Sequence, residues 1–417
     1  MTVPQRPPLL PLDDALSRLL SFADPALSPE SVPVGDADGR VLAQDVVSAL
    51  HVPPHDNSSM DGYALRCADV GVPGVQLPVA QRIAAGSSGT PLQTGTLARI
   101  FTGAPVPLGA DAVVMQEECL VLPNGQGDAD RPQVQINAQP TPGQNIRRAG
   151  EDVARGDVVL SRGQRLGPAE LGLAASIGMA SLTVARRPRV ALFSTGDELV
   201  MPGSVAPQDM PPGAIYNSNR FFLRSLLRRM GCVVSDLGIV PDQREATVQA
   251  LREAAQTHDV ILTSGGVSVG EEDHIKPAVQ SLGTLDLWQI AIKPGKPFAH
   301  GRIGDAHFLG LPGNPVSSFV TFLVLVRPFL LQLQGARNVA MTTVAARADF
   351  TWAKPDKRRE FLRARRNANG GLDLFPNQSS GVLTSAVWSD GLIDNPPGCA
   401  IAPGDAVRFV PFSEVLA

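Results

Sequence analysis

Between residues 189 and 318 the chain repeatedly runs a short apolar stretch into a loop of glycine, hydroxyl and carboxylate residues. That alternation constrains the fold more than any other feature. Residues 189–193 end in Ser194-Thr195-Gly196-Asp197-Glu198, residues 260–263 end in Ser264-Gly265-Gly266, and residues 307–311 end in Pro312-Gly313-Asn314-Pro315. Helical spacing fills the intervals: Phe222, Leu223, Leu226, Leu227 and Met230 in one, and Val248, Leu251, Ala254 and Ala255 in the next. A strand is expected at 232–239. Asp242-x-x-Glu245 has the spacing of a capping box opening the second helix. Strands alternating with helices predict a parallel sheet covered on both faces. Such sheets bind ligands beyond the carboxyl ends of their strands, which is where all three loops fall.

The flanking regions read differently. Residues 53–142 are short apolar runs (76–83, 97–101, 112–117) broken by Gly and Pro, with a polar segment at 123–132, and predict a β-rich domain. On either side of it lie two helical patterns, at 12–22 with Asp13 and Asp14 near its start, and at 168–178. The expectation is a multidomain α/β plus β chain. Residues 1–52 and 145–185 would form a discontinuous, elongated linker domain, and 53–144 an inserted β-rich domain. Residues 186–336 would be the central α/β domain, and 337–417 a small, barrel-like β domain.

Composition excludes several alternatives. Against 36 Lys and Arg stand 40 Asp and Glu, a net charge of −4, so nothing general favours nucleic acid or an anionic membrane as partner. Cys67, Cys119, Cys232 and Cys399 are scattered, without metal-ligand spacing, which argues for a reducing, cytoplasmic setting without disulfides. The proline-rich N-terminus does not read as a secretion signal. The longest apolar run, 316–326, is too short to span a bilayer.

Ser194 and Thr195 with Asp197 and Glu198, taken alone, fit an ordinary turn as well as a site. The run Ser264-Gly265-Gly266-Val267-Ser268-Val269-Gly270 is more elaborate. Its glycines allow successive backbone N–H groups to converge on an anion, and the following Glu271, Glu272 and Asp273 could hold a divalent cation. Lys293 and Lys296, between prolines, offer fixed positive charge, and the Pro312-Gly313-Asn314-Pro315 turn aims a helix N-terminus at the same region, near Ser317. The β-rich segment has a polar surface of its own, from Asp61 and Thr102 to Asp152.

Seven ordered runs then become recognisable: Ser59-Met60-Asp61-Gly62-Tyr63-Ala64, Phe101-Thr102-Gly103-Ala104, Arg148-Ala149-Gly150-Glu151-Asp152, Ser194-Thr195-Gly196-Asp197-Glu198, the glycine run from Thr263 to Gly270, Lys293-Pro294-Gly295-Lys296-Pro297 and Leu311-Pro312-Gly313-Asn314-Pro315. Over nearly its whole length the chain resembles the molybdopterin molybdenumtransferase family (MoeA type), which includes the E domain of gephyrin. The resemblance implies four domains and an elongated homodimer, with an α/β domain like that of the molybdopterin adenylyltransferases. It implies a Mg²⁺-dependent reaction in which adenylylated molybdopterin and molybdate give molybdenum cofactor and AMP. The cleft would lie between the α/β domain of one subunit and the inserted domain of the other. By the same resemblance Asp61, Thr102, Asp152, Glu198, Asp242 and Asp273 are catalytic, and Glu198, Asp242 and Asp273 hold Mg²⁺. Ser194, Thr195, Ser264, Gly265, Gly266, Ser268, Lys293, Lys296, Pro312, Asn314, Pro315 and Ser317 bind substrate and oxyanion. Docking of a molybdopterin adenylyltransferase and of apo-molybdoenzymes would follow. Two departures stand out: Gln289, where many relatives carry a basic residue, and Gln378-Ser379-Ser380-Gly381 in place of Gln-Gly-Ser-Gly. The rival expectations are the preceding adenylyl transfer, performed by shorter single-domain chains, and a non-catalytic scaffold.

Overall fold

The computed structural model describes residues 9–23, 27–122, 132–241, 243–266 and 274–416. Helix α1 (Leu12–Phe22) carries Asp13 and Asp14 in its first turn, where they favour the helix dipole, and buries Leu12, Ala15 and Leu19. The two flanks of the β-rich segment meet: Pro29–Pro33 pairs antiparallel with Ser181–Ala185, and Val46–Val47 with Val158–Leu160. Helix α2 (Pro168–Ser176) packs Ala174 with Leu42, Leu160, Leu166 and Leu182 in the small core of this unit. The guanidinium of Arg40 closes it by donating to the Ala185 carbonyl at 2.7 Å and to Glu30.

The inserted segment hangs on a two-strand stem, Asn57–Ser58 paired with Ile146–Arg147. Beyond the stem lie β1 (Gly62–Leu65), β2 (Val75–Ile83), β3 (Leu97–Ile100), β4 (Ala112–Met115), β5 (Cys119–Val121) and β6 (Gln133–Ile136). They form one sheet in the order β4-β1-β3-β2-β6-β5, mostly antiparallel, with β2 and β3 parallel. Gly62 is required in β1, because a Cβ there would meet the Val114 carbonyl oxygen at 1.9 Å. Most of the polar segment expected at 123–132 lies outside the described residues.

The α/β domain follows, with β7 (Arg189–Thr195), α3 (Asn219–Arg229), β8 (Val233–Val240), α4 (Arg244–Thr257), β9 (Val260–Ser264), α5 (Ile275–Leu282), β10 (Gly283–Gln289), β11 (Pro297–Ile303), β12 (Ala306–Leu311) and α6 (Pro315–Leu333). Its sheet runs β8-β7-β9-β12-β11-β10. Only the first four strands are parallel; β11 and β10 are antiparallel to their neighbours, so the sheet is mixed rather than wholly parallel. The tight turn at Asp305 joins β11 and β12 in a hairpin, and β11 was not anticipated from the sequence. Alternation along β7 sends Val190 and Leu192 to one core, with α1, α3 and α6, and Ala191 and Phe193 to another, with α4 and α5. Helix α4 begins one residue later than the capping-box spacing predicted: its N-cap is Gln243, whose side chain does not cap it, and Asp242 lies outside the described residues. Helix α6 contains a π-helical turn, Phe322–Val326. It is long and apolar enough to cross a membrane, yet 94 % of its most apolar window is buried inside the protein, which makes it a core helix.

The closing β unit is built on β13 (Val344–Arg347), β14 (Arg359–Arg366), β15 (Gly391–Asn395) and β16 (Ala406–Pro411), in the order β14-β15-β16-β13, with the short strand Leu372–Leu374 pairing antiparallel with the end of β14. Its free edge is completed by Ile292–Lys293 from the α/β domain, which pairs parallel with Arg359 and Glu360 of β14. Phe361, Leu392, Val410 and Val415 join the same core as α1 and α6.

Candidate active site

Three parallel strands of the α/β sheet end level with one another: Ser194 is opposite Ser264, and Ser264 is opposite Leu311. Above this edge lies a cleft of about 570 Å³ lined by Thr195, Glu198, Asn217, Asn219, Ser264, Gly265, Gly313, Asn314 and Pro315, with Gly381 reaching in from the closing β unit. The loops predicted from sequence thus converge. Gly265 and Gly266 have φ of +94° and +66°, left-handed values that suit glycine, and a Cβ on Gly266 would meet Ile275 at 2.8 Å. Gly265 donates its N–H to the Leu311 carbonyl at 3.0 Å, tying the second loop to the end of β12. Glu198 is exposed and folds back over Gly196, whose φ is +142°.

The Pro312-Gly313-Asn314-Pro315 turn is held from two sides. Asn219, the first residue of α3, donates through Nδ2 to the Gly313 carbonyl at 2.7 Å. Ser380 accepts the N–H of Val316 at 2.9 Å through its carbonyl oxygen. The Gln378 amide in turn accepts the Arg363 N–H at 2.9 Å and donates to the carbonyls of Arg363 and Phe375. The departure at Gln378-Ser379-Ser380-Gly381 therefore falls in a loop that braces the start of α6 by its backbone. Asn314 is the N-cap of α6 and Pro315 its first residue, a position where proline costs no hydrogen bond. Pro312 and Ser317 are buried behind the turn.

Beneath the cleft several polar atoms are buried without a partner among the described residues: the Ser194 and Thr263 hydroxyls and the Nδ2 of Asn217. Asn217 spends its Oδ1 on the N–H of Arg220 at 3.3 Å, so its amide donors stay unspent. Asn217 and Asn219 were not singled out in the sequence as site residues, and Gly381 only as part of the departing Gln378–Gly381 run. The pattern Asn217-Ser218-Asn219 before a helix reads as capping, and only the fold makes it a wall of the cleft.

The two lysines separate. Lys293 lies outside the cleft lining; its Nζ is 3.3 Å from Glu360 and 3.6 Å from Asp356 of the closing unit, and 6.0 Å from the Trp352 ring centre. Lys296 is half-buried and pairs with no carboxylate among the described residues. Gly295 between them has φ +112° and packs on α6, where a Cβ would meet Thr321 Oγ1 at 2.4 Å.

On the inserted unit Asp61 and Thr102 form a pair. Asp61 Oδ1 accepts the Thr102 backbone N–H at 2.8 Å and its hydroxyl at 2.7 Å, and these bonds hold the carboxyl below the usual carboxylate range. Asp152 is exposed close to the stem, its N–H bonded to the Val52 carbonyl at 3.0 Å. None of these three lines the cleft within one chain. Asp242, Ser268 and Asp273 lie outside the described residues, so of the three expected Mg²⁺ ligands only Glu198 is placed. Among the described residues no three His, Cys, Asp or Glu side chains stand together as a metal site. The donors around the cleft are carboxylate, hydroxyl and amide oxygens without thiol or imidazole, a set that fits a hard cation such as Mg²⁺.

Residues 10–178 match the MoeA N-terminal region (domain I and II), residues 191–332 a probable molybdopterin binding domain, and residues 345–412 the MoeA C-terminal region (domain IV). The chain is 42 % identical over 334 residues to a molybdopterin molybdenumtransferase of Haemophilus influenzae, covering 79 % of each chain. It is 39 % identical to molybdopterin molybdenumtransferase 2 of Mycobacterium tuberculosis, over 89 % of this chain and 92 % of that one. The crystal structure of the molybdopterin biosynthesis MoeA protein of Pyrococcus horikoshii superposes with a TM-score of 0.83 at 28 % identity, covering 97 % of this chain and all of that one. A mixed α/β domain with a polar cleft at its strand ends, carried among three β-rich units, is the architecture of a molybdopterin-handling protein. The chain belongs to the molybdopterin molybdenumtransferase family.

Proposed function

We propose that this chain inserts molybdenum from molybdate into molybdopterin, taking the pterin in its adenylylated form and releasing AMP. The observation that carries the reading is the cleft itself, whose walls are the family's ordered loops and whose floor holds unspent hydroxyl and amide groups. Glu198, with Asp242 and Asp273, would hold Mg²⁺, which would supply positive charge at the phosphoanhydride. Thr195, Ser264 and the Gly265-Gly266 backbone receive phosphoryl oxygens, and Asn314, Pro315 and Ser317 shape the pocket beside them. Lys296 supplies positive charge for the oxyanion. Lys293 fixes the loop by its pairing with Glu360. A second copy of the chain completes the cleft with Asp61, Thr102 and Asp152. In favour of this, the pair Asp61–Thr102 is exposed on the inserted unit and does not line the strand-end cleft of its own chain. The four free thiols are consistent with work in the cytoplasm.

The test is a reconstituted insertion assay with adenylylated molybdopterin, molybdate and Mg²⁺, following AMP release and activation of an apo-molybdoenzyme. Glu198→Gln is expected to slow molybdate-dependent AMP release by roughly 10²–10³ while leaving the thermal transition in place, since the side chain is exposed. Binding of the adenylylated pterin by the wild type with no AMP release under any metal would sink the reading.

A further inference from the structure

The inserted sheet places two arginines side by side. In the parallel register of β2 and β3, Arg82 is directly opposite Arg99. Like charges opposite one another on neighbouring strands are an unfavourable placement, and sheets ordinarily avoid it. Here aromatic rings lie against both side chains. Both guanidinium carbons lie against the ring of Phe101, at 4.5 and 4.7 Å from its centre, and that of Arg99 is also 5.1 Å from the centre of Tyr63. Aromatic faces attract a cation but leave the in-plane N–H donors of a guanidinium free. Arg99 spends two of them, on the Gly62 carbonyl at 3.1 Å and on Gln116 Oε1 at 2.6 Å. Among the described residues Arg82 spends none and neither is within ion-pair distance of a carboxylate, though Arg99 acts on Asp61 from further away.

These two side chains face a hollow of about 460 Å³ that Tyr63, Gln81, Val121 and Val134 also line. Stacking has thus fixed two forked, permanently charged donors beside an open cavity, with their hydrogen-bonding capacity largely unspent. The complement of that arrangement is a tetrahedral oxyanion, which a pair of guanidiniums binds through several parallel N–H···O bonds. We propose that Arg82 and Arg99 form an oxyanion subsite on the inserted unit, separate from the cleft at the α/β strand ends. Arg99 and Asp61 share one surface, since Gly62, whose carbonyl Arg99 holds, follows Asp61 directly. The occupant is either a phosphate group of the pterin nucleotide or the free tetrahedral anion. That choice rests on the molybdenum-insertion reading, whereas the site itself does not.

Equilibrium dialysis of the full-length protein with inorganic phosphate, molybdate and AMP separately, at constant ionic strength, tests this. The variant is Arg82→Gln, which breaks no hydrogen bond among the described residues, and Lys296→Gln, at a lysine outside this hollow, serves as the control. Arg82→Gln is expected to weaken binding by about tenfold, the worth of one lost charge-assisted hydrogen bond, with an unchanged thermal transition. Weaker AMP binding alone assigns the occupant to a phosphate ester, weaker phosphate and molybdate binding alone to the free anion, and weakening of all three to their shared chemistry. Equal affinities of wild type and Arg82→Gln for every probe overturn the subsite, as does a wild type that binds none of them. Because binding is read directly, failure of the insertion assay does not bear on this result.

Discussion

Cys232 is fully enclosed in the α/β core, and burial pushes its thiol up to about 12; burial also raises Cys67 to about 12 and Cys119 to about 11. Thiols held that far above neutrality are almost entirely protonated and react slowly. Cys399 alone is exposed. Brief iodoacetamide treatment of the folded protein is therefore expected to label Cys399 and spare the others, as peptide mapping would report; rapid labelling of Cys232 would contradict it. His300 and His307 are a second buried group, 3.4 Å apart, with Phe22 stacked on His300 and Phe329 edge-on to His307. Burial lowers their pKa values to about 4 and about 3. The unfolded chain protonates its histidines near ~6.5, before the folded one does. Their contribution to stability is hence intact above ~6.5 and is lost as pH falls through about 4, by at most ~1.4 kcal/mol per pH unit for each. A His300→Gln, His307→Gln double variant should lose less melting temperature than wild type on acidification from about pH 7 to about pH 5. Parallel losses would acquit the pair. At this scale the sequence located the hydroxyls and glycines of the cleft because their runs are local. It could not locate Asn217, whose unspent amide is a product of burial among segments distant in the chain.

Helices with a strong period were legible almost to the residue: α1 and the apolar face of α4 lie where spacing puts them. The hairpin β11–β12 was not, because the loop Lys293-Pro294-Gly295-Lys296 preceding it attracts attention as chemistry and conceals a strand exchange. Ile292 and Lys293 leave their own sheet to pair with Arg359 and Glu360, partners 67 residues on. No local pattern announces a parallel pairing at that separation. The exchange also explains Lys293. Glu360 has no exposed side-chain surface, and its other partners are Trp352 Nε1 at 2.8 Å and Asn395 Nδ2 at 3.4 Å, both neutral. Among the described residues Lys293 is the cation within ion-pair distance of this buried carboxylate, and removing it leaves only neutral hydrogen-bond partners and the more distant Arg358 and Arg363. Lys293→Met is expected to cost on the order of 3 kcal/mol, at the lower end for a broken buried pair because the lysine is partly solvated. Denaturant titration would read it, and Glu360→Gln in the same background should recover part of the loss. A Lys293→Met protein as stable as wild type would mean that the pair is ornamental.

At the scale of the molecule, the division into units is blurred at one place. The core that surrounds α6 takes Leu12 and Leu19 from the start of the chain and Phe361, Leu392 and Val410 from its end. Composition separates the closing β unit from the α/β domain, yet the two share a hydrophobic core and a strand. A chain truncated after residue 336 should therefore lose the cooperative unfolding transition of the α/β domain as well, seen by calorimetry or by exposure to protease. Retention of the wild-type transition would show that the α/β domain stands alone. The inserted unit differs, since its cores draw only on its own strands and the adjoining stem.

The burial of α1 against α6 sets an order of events during synthesis. Leu12, Ala15 and Leu19 belong to a core whose main partner, Pro315–Leu333, is made some three hundred residues later. At ordinary rates of translation that interval is roughly 15–60 s. Throughout it the first helix of the chain emerges with its apolar stripe bare, while the inserted sheet behind it can already close on itself. Leu12, Ala15 and Leu19 thus leave the ribosome well before the helix that covers them, and their burial waits on the synthesis of Pro315–Leu333.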